Sequence, residues 1–442
     1  MYCKYCGAKM MDGEKICPKC ERKNGSNAAM IVFAAIAGVL LVAILAVVVL
    51  LGTGMLDKDN ASKNTEPTVD LGTIPPDGNP DDETCKGTYT GTDEQASAQK
   101  DQVIATVGEY QLTNGQFQLY YWTAAQQLVQ YGAYYGVDFK KPLDRQIQDE
   151  KTGTTWQQYF VAKALELWHS TMVLKAEAEK EDYQLPQEYL DVLETLDEEM
   201  EASVKEDGYA SIEDMLQKNF GVNVTYAMYK DFIVDGWIAS TYEEKLVGSM
   251  ETTEEEIEKY YTNNAATLES YLGITKESGD LVSVRHILYM PDGATSATIR
   301  TEKFSDEAWA SAETKAKDIL KQWKKGEATE ESFSALAKEH SMDGSASAGG
   351  LIEGVAEGDM VKAFNDWCFD ESRKKGDNGV IKTEYGYHVM YFVSIEAEWH
   401  LYCRQGVQQE KASKWEDEKN AASPATFDYS KILLASFDFA TS

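Results

Sequence analysis

Hydrophobic and polar positions follow four successive patterns along this chain of 442 residues. An uncharged apolar run occupies Ala28–Leu51, and the polar residues 57–102 that follow it have no apolar periodicity. From Val103 to about residue 275, apolar residues recur at the spacing of amphipathic helices. Residues 281–396 combine strand-like alternation with shorter helical patterns. These patterns predict a membrane-spanning segment, a spacer, an all-helical domain and a mixed domain, in that order.

The apolar run predicts a single transmembrane helix over residues 28–52. Its 24 uncharged residues, at about 1.5 Å per residue, are long enough for a hydrocarbon core of about 30 Å. A cleaved secretory signal is the alternative, but its apolar region is usually only about 7–15 residues long. Basic residues precede the run, whereas Asp57 and Asp59 follow it. The positive-inside rule therefore predicts a cytoplasmic amino terminus and extracellular carboxyl-terminal domains.

Four cysteines precede the apolar run as two Cys-x2-Cys pairs: Cys3, Cys6, Cys17 and Cys20. Two such pairs can place four thiolates tetrahedrally around zinc, and a reducing cytoplasm keeps the thiols unpaired. The tract MYCKYCGAKMMDGEKICPKC resembles the zinc-ribbon modules at the start of some bacterial membrane proteins. We therefore predict a zinc ribbon over residues 1–24 with a structural zinc ion, and redox-active or idle thiols are the alternatives. Among the other three cysteines, one bridge between Cys368 and Cys403 stays open.

The charge of the chain is unevenly distributed and excludes one class of partner. The formal net charge is −32, and because the first 52 residues carry +3, the remainder carries −35. Phosphate groups would be repelled by such a protein, so we expect no nucleic-acid partner. Residues 57–102 are rich in Asp, Thr, Gly and Pro. This composition predicts a flexible acidic stalk, because such a segment buries too little apolar surface to fold.

Residues 103–275 predict an all-helical domain with a short β-branched run at its start. Thr113 with Gln116 three positions later fits a capping box that opens a helix. Apolar residues then recur at helical spacing in stretches at about 155–182, 187–206, 212–220, 224–249 and 254–271. This organisation resembles the chaperone domain that precedes the isomerase in PrsA-like and SurA-like foldases. The resemblance implies that the helical domain holds unfolded polypeptides.

Residues 281–396 predict one compact α+β domain. LVSVRHILYM alternates as a strand does, a long helix ends near Gly326, and SFSALAKEHS forms a shorter helix. A turn at Gly349 and Gly350, a helix from Val361 to about residue 369 and the strand GYHVMYFVSI follow. The order β-α-α-β-α-β favours an antiparallel sheet with surrounding helices. The connection at 291–305 is expected to be extended and polar.

Five ordered motifs in this domain resemble the parvulin signature over about 115 residues. They are VRHIL, F-x-x-L-A-x-x-x-S-x-D, GG, G-x-MV-x-AF and T-x-YGYHVM. The resemblance implies a catalytic network of His286 and His388 on adjacent central strands, joined by Asp343 and Thr383. It also implies an apolar pocket for the substrate proline, lined by Ile352, Met360 and Phe364, with Phe369 behind it.

These residue types fit the rotation of an X-Pro peptide bond. Rotation must overcome a barrier of about 18–20 kcal/mol but breaks no covalent bond, so no catalytic cofactor is expected. An apolar slot can grip the proline ring while preorganised polar groups favour the twisted amide. We hypothesise that Asp343 accepts hydrogen bonds near the rotating carbonyl and shapes the local field, and that it is not a base. The sequence thus predicts a membrane-anchored peptidyl-prolyl isomerase and foldase for secreted or cell-surface proteins that contain proline.

Two other functions stay open. A parvulin fold can serve a non-catalytic holdase chaperone, and the extracellular part could bind a ligand and signal through the membrane helix to the zinc ribbon. The segment 397–442 ends in an apolar run with Ile432, Leu433 and Leu434. Because such a run cannot bury itself alone, we predict that the segment packs back on the helical domain.

Overall fold

The computed structural model describes residues 89–129, 132–296 and 298–436. The predicted zinc ribbon, the predicted transmembrane helix and residues 57–88 of the predicted stalk lie outside these ranges. Within them, no helix combines the length and apolarity needed to cross a bilayer. The chain divides into two compact units. We call residues 89–250 with 410–436 the helical unit, and residues 251–409 the sheet unit.

The first part of the helical unit contains seven helices and two hairpins among the residues described. The hairpin strands are β1 (Val103–Val107), β2 (Tyr110–Thr113), β3 (Ile147–Asp149) and β4 (Thr154–Thr155). The helices are α1 (Asp93–Ala98), α2 (Asn114–Val129), α3 (Gly132–Tyr135), α4 (Trp156–Lys180), α5 (Gln187–Asp207), α6 (Ile212–Phe220) and α7 (Tyr226–Ser249).

Capping boxes and apolar spacing account for the main helices of this unit. The Thr113 amide donates to Gln116 Oε1 at 3.1 Å and the Gln116 amide to Thr113 Oγ1 at 3.4 Å, which confirms the predicted start of α2. Thr155 and Gln158 form the equivalent box at α4. The apolar faces of α2, α4 and α7 then bury one aromatic-rich core. The helical pattern of the sequence is therefore confirmed from α4 to α7.

The sheet unit contains the four-stranded sheet that carries the candidate site. Its elements are α8 (Glu254–Thr267) with a π-helical turn at Leu268–Leu272, β5 (Asp280–Tyr289), α9 (Asp306–Lys325), α10 (Glu330–His340), β6 (Leu351–Val355), α11 (Lys362–Cys368), β7 (Asn378–Lys382) and β8 (Tyr387–Ala397). The strand order is β6-β5-β8-β7. Every neighbouring pair is antiparallel, as the sequence predicted. Strand β7 was not predicted.

The two faces of this sheet pack against different helices. Ile287 and Val389 on one face share a core with Ala316, Ile319 and Phe333 of α9 and α10. The other face, with Val284, Met390 and Phe392, packs against Phe364 and Trp367 of α11. Because helices cover both faces of the sheet, most side chains of β5 and of the first half of β8 are buried. Polar residues on these strands therefore require partners inside the domain.

Helix α12 (Glu398–Ala422) continues from the sheet unit into the helical unit, where strand β9 (Thr426–Phe427) follows it. β9 pairs antiparallel with β1, with Ala105 opposite Phe427. The amide of Leu434 donates to the carbonyl of Tyr89 at 2.6 Å. Ile432 and Leu434 are buried in the core of the helical unit. Residues 410–436 thus complete a fold that began more than 300 positions earlier.

Three boundaries differ from the sequence analysis. Residues 89–102, predicted as stalk, belong to the helical unit, because Tyr89 is 2% exposed and α1 has its own capping box. Helix α8, predicted in the helical domain, belongs to the sheet unit. There Ile257 shares a buried cluster with Cys403 of α12, so residues 398–409 also belong to the sheet unit. In each case, a side chain is buried against residues that are distant in sequence.

The bridge left open between Cys368 and Cys403 is absent. Both residues are buried free thiols. Cys368 packs with Phe364 in one cluster, whereas Cys403 packs with Ile257 in another. The sequence alone could not separate these two environments.

Candidate active site

The two predicted histidines lie side by side in the middle of the sheet. His286 on β5 is opposite Met390, and His388 on β8 is opposite Leu288. Because side chains alternate along a strand, this register places both imidazoles on the same face. Their Nδ1 atoms are 3.0 Å apart and their rings are stacked at 5.2 Å. They are only 2% and 5% exposed, so each must be satisfied by protein groups.

A chain of hydrogen bonds passes through both rings. Thr383 Oγ1 lies 2.8 Å from His388 Nε2, and His286 Nε2 lies 3.1 Å from Asp343 Oδ1. An ionised carboxylate only accepts, so His286 carries its hydrogen on Nε2. The two Nδ1 atoms share one hydrogen, and the Thr383 hydroxyl, which can donate or accept, pairs with His388 Nε2. Every polar atom along this chain therefore has a hydrogen-bond partner.

The pKa shifts of Asp343 and His388 agree with this chain of hydrogen bonds. The hydrogen bond from His286 holds the pKa of the Asp343 carboxyl well below its usual range, although partial burial acts in the opposite direction. Burial and the neighbouring His286 lower the pKa of His388 to about 3, against a smaller opposite effect of Asp343. At neutral pH, Asp343 is therefore an anion and His388 is uncharged.

Asp343 is held by the tight turn that follows α10. The Ser341 hydroxyl accepts from the amides of Leu288 and Asp343, at 3.1 and 3.3 Å. At the end of the turn, the amide of His286 donates to the carbonyl of Gly350 at 2.8 Å. Gly350 has φ 71°, and a Cβ there would overlap the carbonyl oxygen of His286. The glycine pair predicted from the sequence is thus required by both conformation and close approach.

The four predicted pocket residues lie in one apolar cluster beside the histidines. The Phe364 ring is nearly perpendicular to both imidazoles, with a centroid distance of 5.5 Å to each. Ile352, Met360 and Phe369 are half-buried and pack against the same cluster, which also contains Met390. The structure therefore brings together all eight residues that the sequence assigned to catalysis and proline binding. Their roles in catalysis stay predictions.

The sequence analysis missed Ser345. Its hydroxyl lies 2.6 Å from Asp343 Oδ1 and 3.2 Å from His286 Nε2, and its amide donates to the same carboxylate oxygen at 2.9 Å. An Asp followed two residues later by Ser is a turn signal that could have revealed it. The predicted polar character of 291–305 was partly wrong, because Ala294 and Ile299 are buried in a cluster with Leu288.

The predicted zinc ligands lie outside the described residues. Within the described part of the chain, no three His, Cys, Asp or Glu side chains are grouped closely enough to hold a metal ion.

Comparisons with known proteins agree with this geometry. Residues 268–394 match the family model of the PPIC-type PPIASE domain. The chain is 26% identical over 193 residues to Cbf2 of Campylobacter jejuni, named as a peptidyl-prolyl cis-trans isomerase; the match covers 43% of this chain and 60% of the relative. It is 30% identical over 156 residues to foldase protein PrsA 1 of Listeria monocytogenes, covering 34% of this chain and 50% of that protein.

Two solved structures are also similar. PrsA from Bacillus subtilis is 20% identical, with 62% of this chain and 90% of that chain covered and a TM-score of 0.27. PrsA from Bacillus anthracis is 15% identical, with 58% and 96% covered and a TM-score of 0.20. The matches with the two curated relatives cover 60% of Cbf2 and 50% of PrsA 1, so this chain spans only part of the length of each. The matched segment contains both histidines, Asp343, Thr383 and the apolar pocket. Residues 268–394 of this chain therefore form a peptidyl-prolyl isomerase domain of the PPIC, or parvulin, type.

Proposed function

We propose that this protein isomerises X-Pro bonds in unfolded polypeptides. The proposal rests on the exposure of the Asp343 carboxylate. Its side chain is 33% exposed at the end of an otherwise buried network, whereas the His286 side chain behind it is only 2% exposed. Asp343 is the network member that a peptide can approach, and the two imidazoles hold it in place. The apolar cluster around Phe364 supplies the surface for the proline ring.

An anion at this place can lower the rotational barrier without proton transfer. Amide resonance puts partial negative charge on the carbonyl oxygen and gives the C–N bond its double-bond character. A carboxylate near that oxygen disfavours the charge-separated form, and so does an apolar cleft that excludes water. The twisted amide carries less of this charge and is destabilised less. The ground state is therefore raised relative to the transition state, which accelerates rotation.

The helical unit and the relatives support a foldase acting on whole polypeptides. The relatives from Listeria and Campylobacter are named as a foldase and an isomerase. We propose that the helical unit holds unfolded or newly secreted chains while the sheet unit acts on their prolines. The uncharged run of residues 28–52 and the basic residues before it support a single-pass anchor with the described units outside the cell. The cytoplasmic Cys3, Cys6, Cys17 and Cys20 would then hold a structural zinc ion.

A protease-coupled assay tests the isomerase activity. The full-length protein in detergent should accelerate cis-to-trans conversion of a proline tetrapeptide. His388→Ala removes the hydrogen-bond partner of both Thr383 and His286, so we expect turnover to fall about tenfold or more.

His340→Ala is the matched control. His340 lies on α10 of the same unit, and the ion pair that the structure describes for it is with Glu339. This variant should retain turnover. Equal rates with and without the wild-type protein would refute the isomerase proposal. If the same protein then suppressed aggregation of an unfolded client, the holdase function would replace it.

A further inference from the structure

Arg285 precedes His286 on β5, and its side chain reaches the turn that carries Asp343. Its Nη1 donates to the carbonyls of Ala348 and Gly349, at 3.0 and 3.1 Å, and lies 3.5 Å from Ser334 Oγ. Its Nε donates to Glu330 Oε1 at 3.1 Å. The Arg285 side chain is only 16% exposed. One guanidinium therefore ties β5, the start of α10 and the end of the turn together.

The contacted carbonyls are linked to the catalytic end of the turn through short backbone hydrogen bonds. The amide of Gly349 donates to the carbonyl of Ala346, and the amide of Gly350 to that of Ser345, both at 2.8 Å. Ser345 in turn donates to Asp343. The turn at residues 343–350 is thus a small hydrogen-bonded ring, and Arg285 holds one side of it while Asp343 lies on the other.

We propose that Arg285 is a positioning residue of the isomerase, which keeps Asp343 within hydrogen-bonding distance of His286 by fixing the 343–350 turn. The inference rests on the proposed function above. Arg285 alternates with His286 on β5, so the two side chains leave the strand towards opposite faces. It acts on the reaction only through the turn and does not contact the proline pocket. Arg285 thus holds the 343–350 turn at the carbonyls of Ala348 and Gly349, and the imidazole of His286 holds it at Asp343.

Arginine suits this position better than lysine. The guanidinium presents five N–H donors in a rigid plane, so it can satisfy a carboxylate and two carbonyls at once. Glu330 fixes the plane, and Lys375 holds the second oxygen of Glu330 at 3.3 Å. A lysine ammonium at residue 285 would keep the charge but could not reproduce the fork. The Arg285→Lys protein should therefore stay folded but retain only part of the wild-type turnover.

The test compares Arg285→Gln, Arg285→Lys and Glu330→Gln in the full-length protein. For Arg285→Gln, we expect kcat on a proline tetrapeptide to fall about tenfold while KM changes less than about twofold, because the apolar pocket is untouched. Arg285→Lys and Glu330→Gln should give smaller decreases of the same kind. Arg404→Gln is the control, since Arg404 is also partly buried and paired with Glu396 and Glu353 but does not contact the turn. It should keep wild-type turnover.

A second readout separates positioning from a general loss of stability. If Asp343 loses its hydrogen bond with His286, the pKa of its carboxyl should rise towards the ordinary value. Carbon NMR of that side chain measures this pKa. The inference is refuted if the Arg285→Gln and Glu330→Gln proteins match the wild type, or if Arg404→Gln loses as much turnover as they do. It is also refuted if turnover falls while the Asp343 titration stays where it is in the wild type. Absence of turnover in the wild type would instead refute the proposed function, and the Asp343 titration would still test whether Arg285 holds the turn.

Discussion

At the scale of single residues, the burial of His388 determines how the site responds to pH. With the pKa of His388 near 3 and that of Asp343 well below its usual range, neither group changes its charge near neutrality. The proposed mechanism needs an anionic Asp343 and a neutral His388. Both conditions hold over the same broad range, so Asp343 and His388 keep the charges that the mechanism needs across neutral pH.

The first consequence concerns the rate. We expect kcat on a proline peptide to vary by less than about twofold between about pH 5 and pH 8, measured with a coupling protease active across that range. A sigmoidal rise centred near pH 6.5 would show that a histidine must lose a proton for turnover, which contradicts a mechanism that needs only an anionic Asp343 and a neutral His388.

The second consequence concerns stability. The unfolded chain protonates His388 below about pH 6.5, whereas the folded domain does so only near pH 3. The free energy of unfolding should therefore decrease as pH falls below 6.5, by about 1.4 kcal/mol for each pH unit from this residue. His400 acts in the opposite direction, because Glu396 and Glu254 raise its pKa despite the lowering effect of burial. Urea unfolding of wild type and His388→Ala at about pH 7 and 5.5 isolates the effect, and parallel decreases in the two proteins would contradict it.

The sequence predicted the identity of the site residues but not their hydrogen-bond pattern. His286, His388, Asp343 and Thr383 were identified because five ordered motifs resemble the parvulin signature, and the order and spacing of motifs can be recognised in a linear sequence. The Nδ1 contact depends on the register between β5 and β8, which no single strand encodes. Ser345 was missed for a related reason, since its role arises only when the turn folds against His286.

At the scale of elements, residues 410–436 are a structural part of the helical unit. Leu434 is 2% exposed in the main core and its amide bonds to Tyr89. On α2, the side-chain carbonyls of Asn114 and Gln118 accept from the amides of Leu433 and Ala435, at 2.8 and 3.1 Å. Their side-chain amides donate to the carbonyls of Lys431 and Ala435, at 3.0 and 3.4 Å. A segment with little secondary structure is thus fixed by buried side chains of a helix.

Leu434→Ala should lower the free energy of unfolding of the helical unit by about 2–5 kcal/mol, because it leaves a cavity in a packed core. Thermal unfolding should show an earlier transition for this unit, while the transition of the sheet unit and proline turnover stay unchanged. Leu433→Ala is the matched control and should have a smaller effect, since Leu433 is only half-buried. Equal shifts for both variants would contradict the assignment of Leu434 to the core.

Long elements were predicted well and short ones poorly. Helices α4 to α7 lie within a few residues of their predicted bounds, because several turns of apolar spacing and a capping residue specify each of them. Strands β7 and β9 have five and two residues. Such segments carry too few alternations to be recognised, and their pairing with distant strands decides their structure.

At the scale of the whole molecule, the sheet unit is an insertion within the helical unit. Its bounds at 251–409 differ from the predicted domain at 281–396 by α8 and the start of α12. These added elements bury Ile257, Leu268 and Cys403 together. The domain recognised by its motifs is therefore smaller than the unit that buries a complete core.

A fragment of residues 251–409 should fold by itself and isomerise a proline tetrapeptide at a rate within about twofold of the full chain, because a unit with its own core can fold alone. A fragment of 281–396 is the comparison. It lacks the α8–α12 cluster, so its melting temperature should be lower by circular dichroism. Equal melting temperatures would show that α8 adds nothing to the stability of the sheet unit.

The pairing of β9 with β1 also has a consequence for biosynthesis. In the order β2-β1-β9, strand β1 is central only when β9 is present. Asn114 and Leu433, which bond to each other beside this sheet, are separated by 319 residues. Until β9 has been synthesised, the nascent chain therefore exposes one side of β1 as an unpaired edge, open to pairing with other extended chains. A protein proposed to assist the folding of others is itself exposed to misassembly until residues 426–434 have left the ribosome.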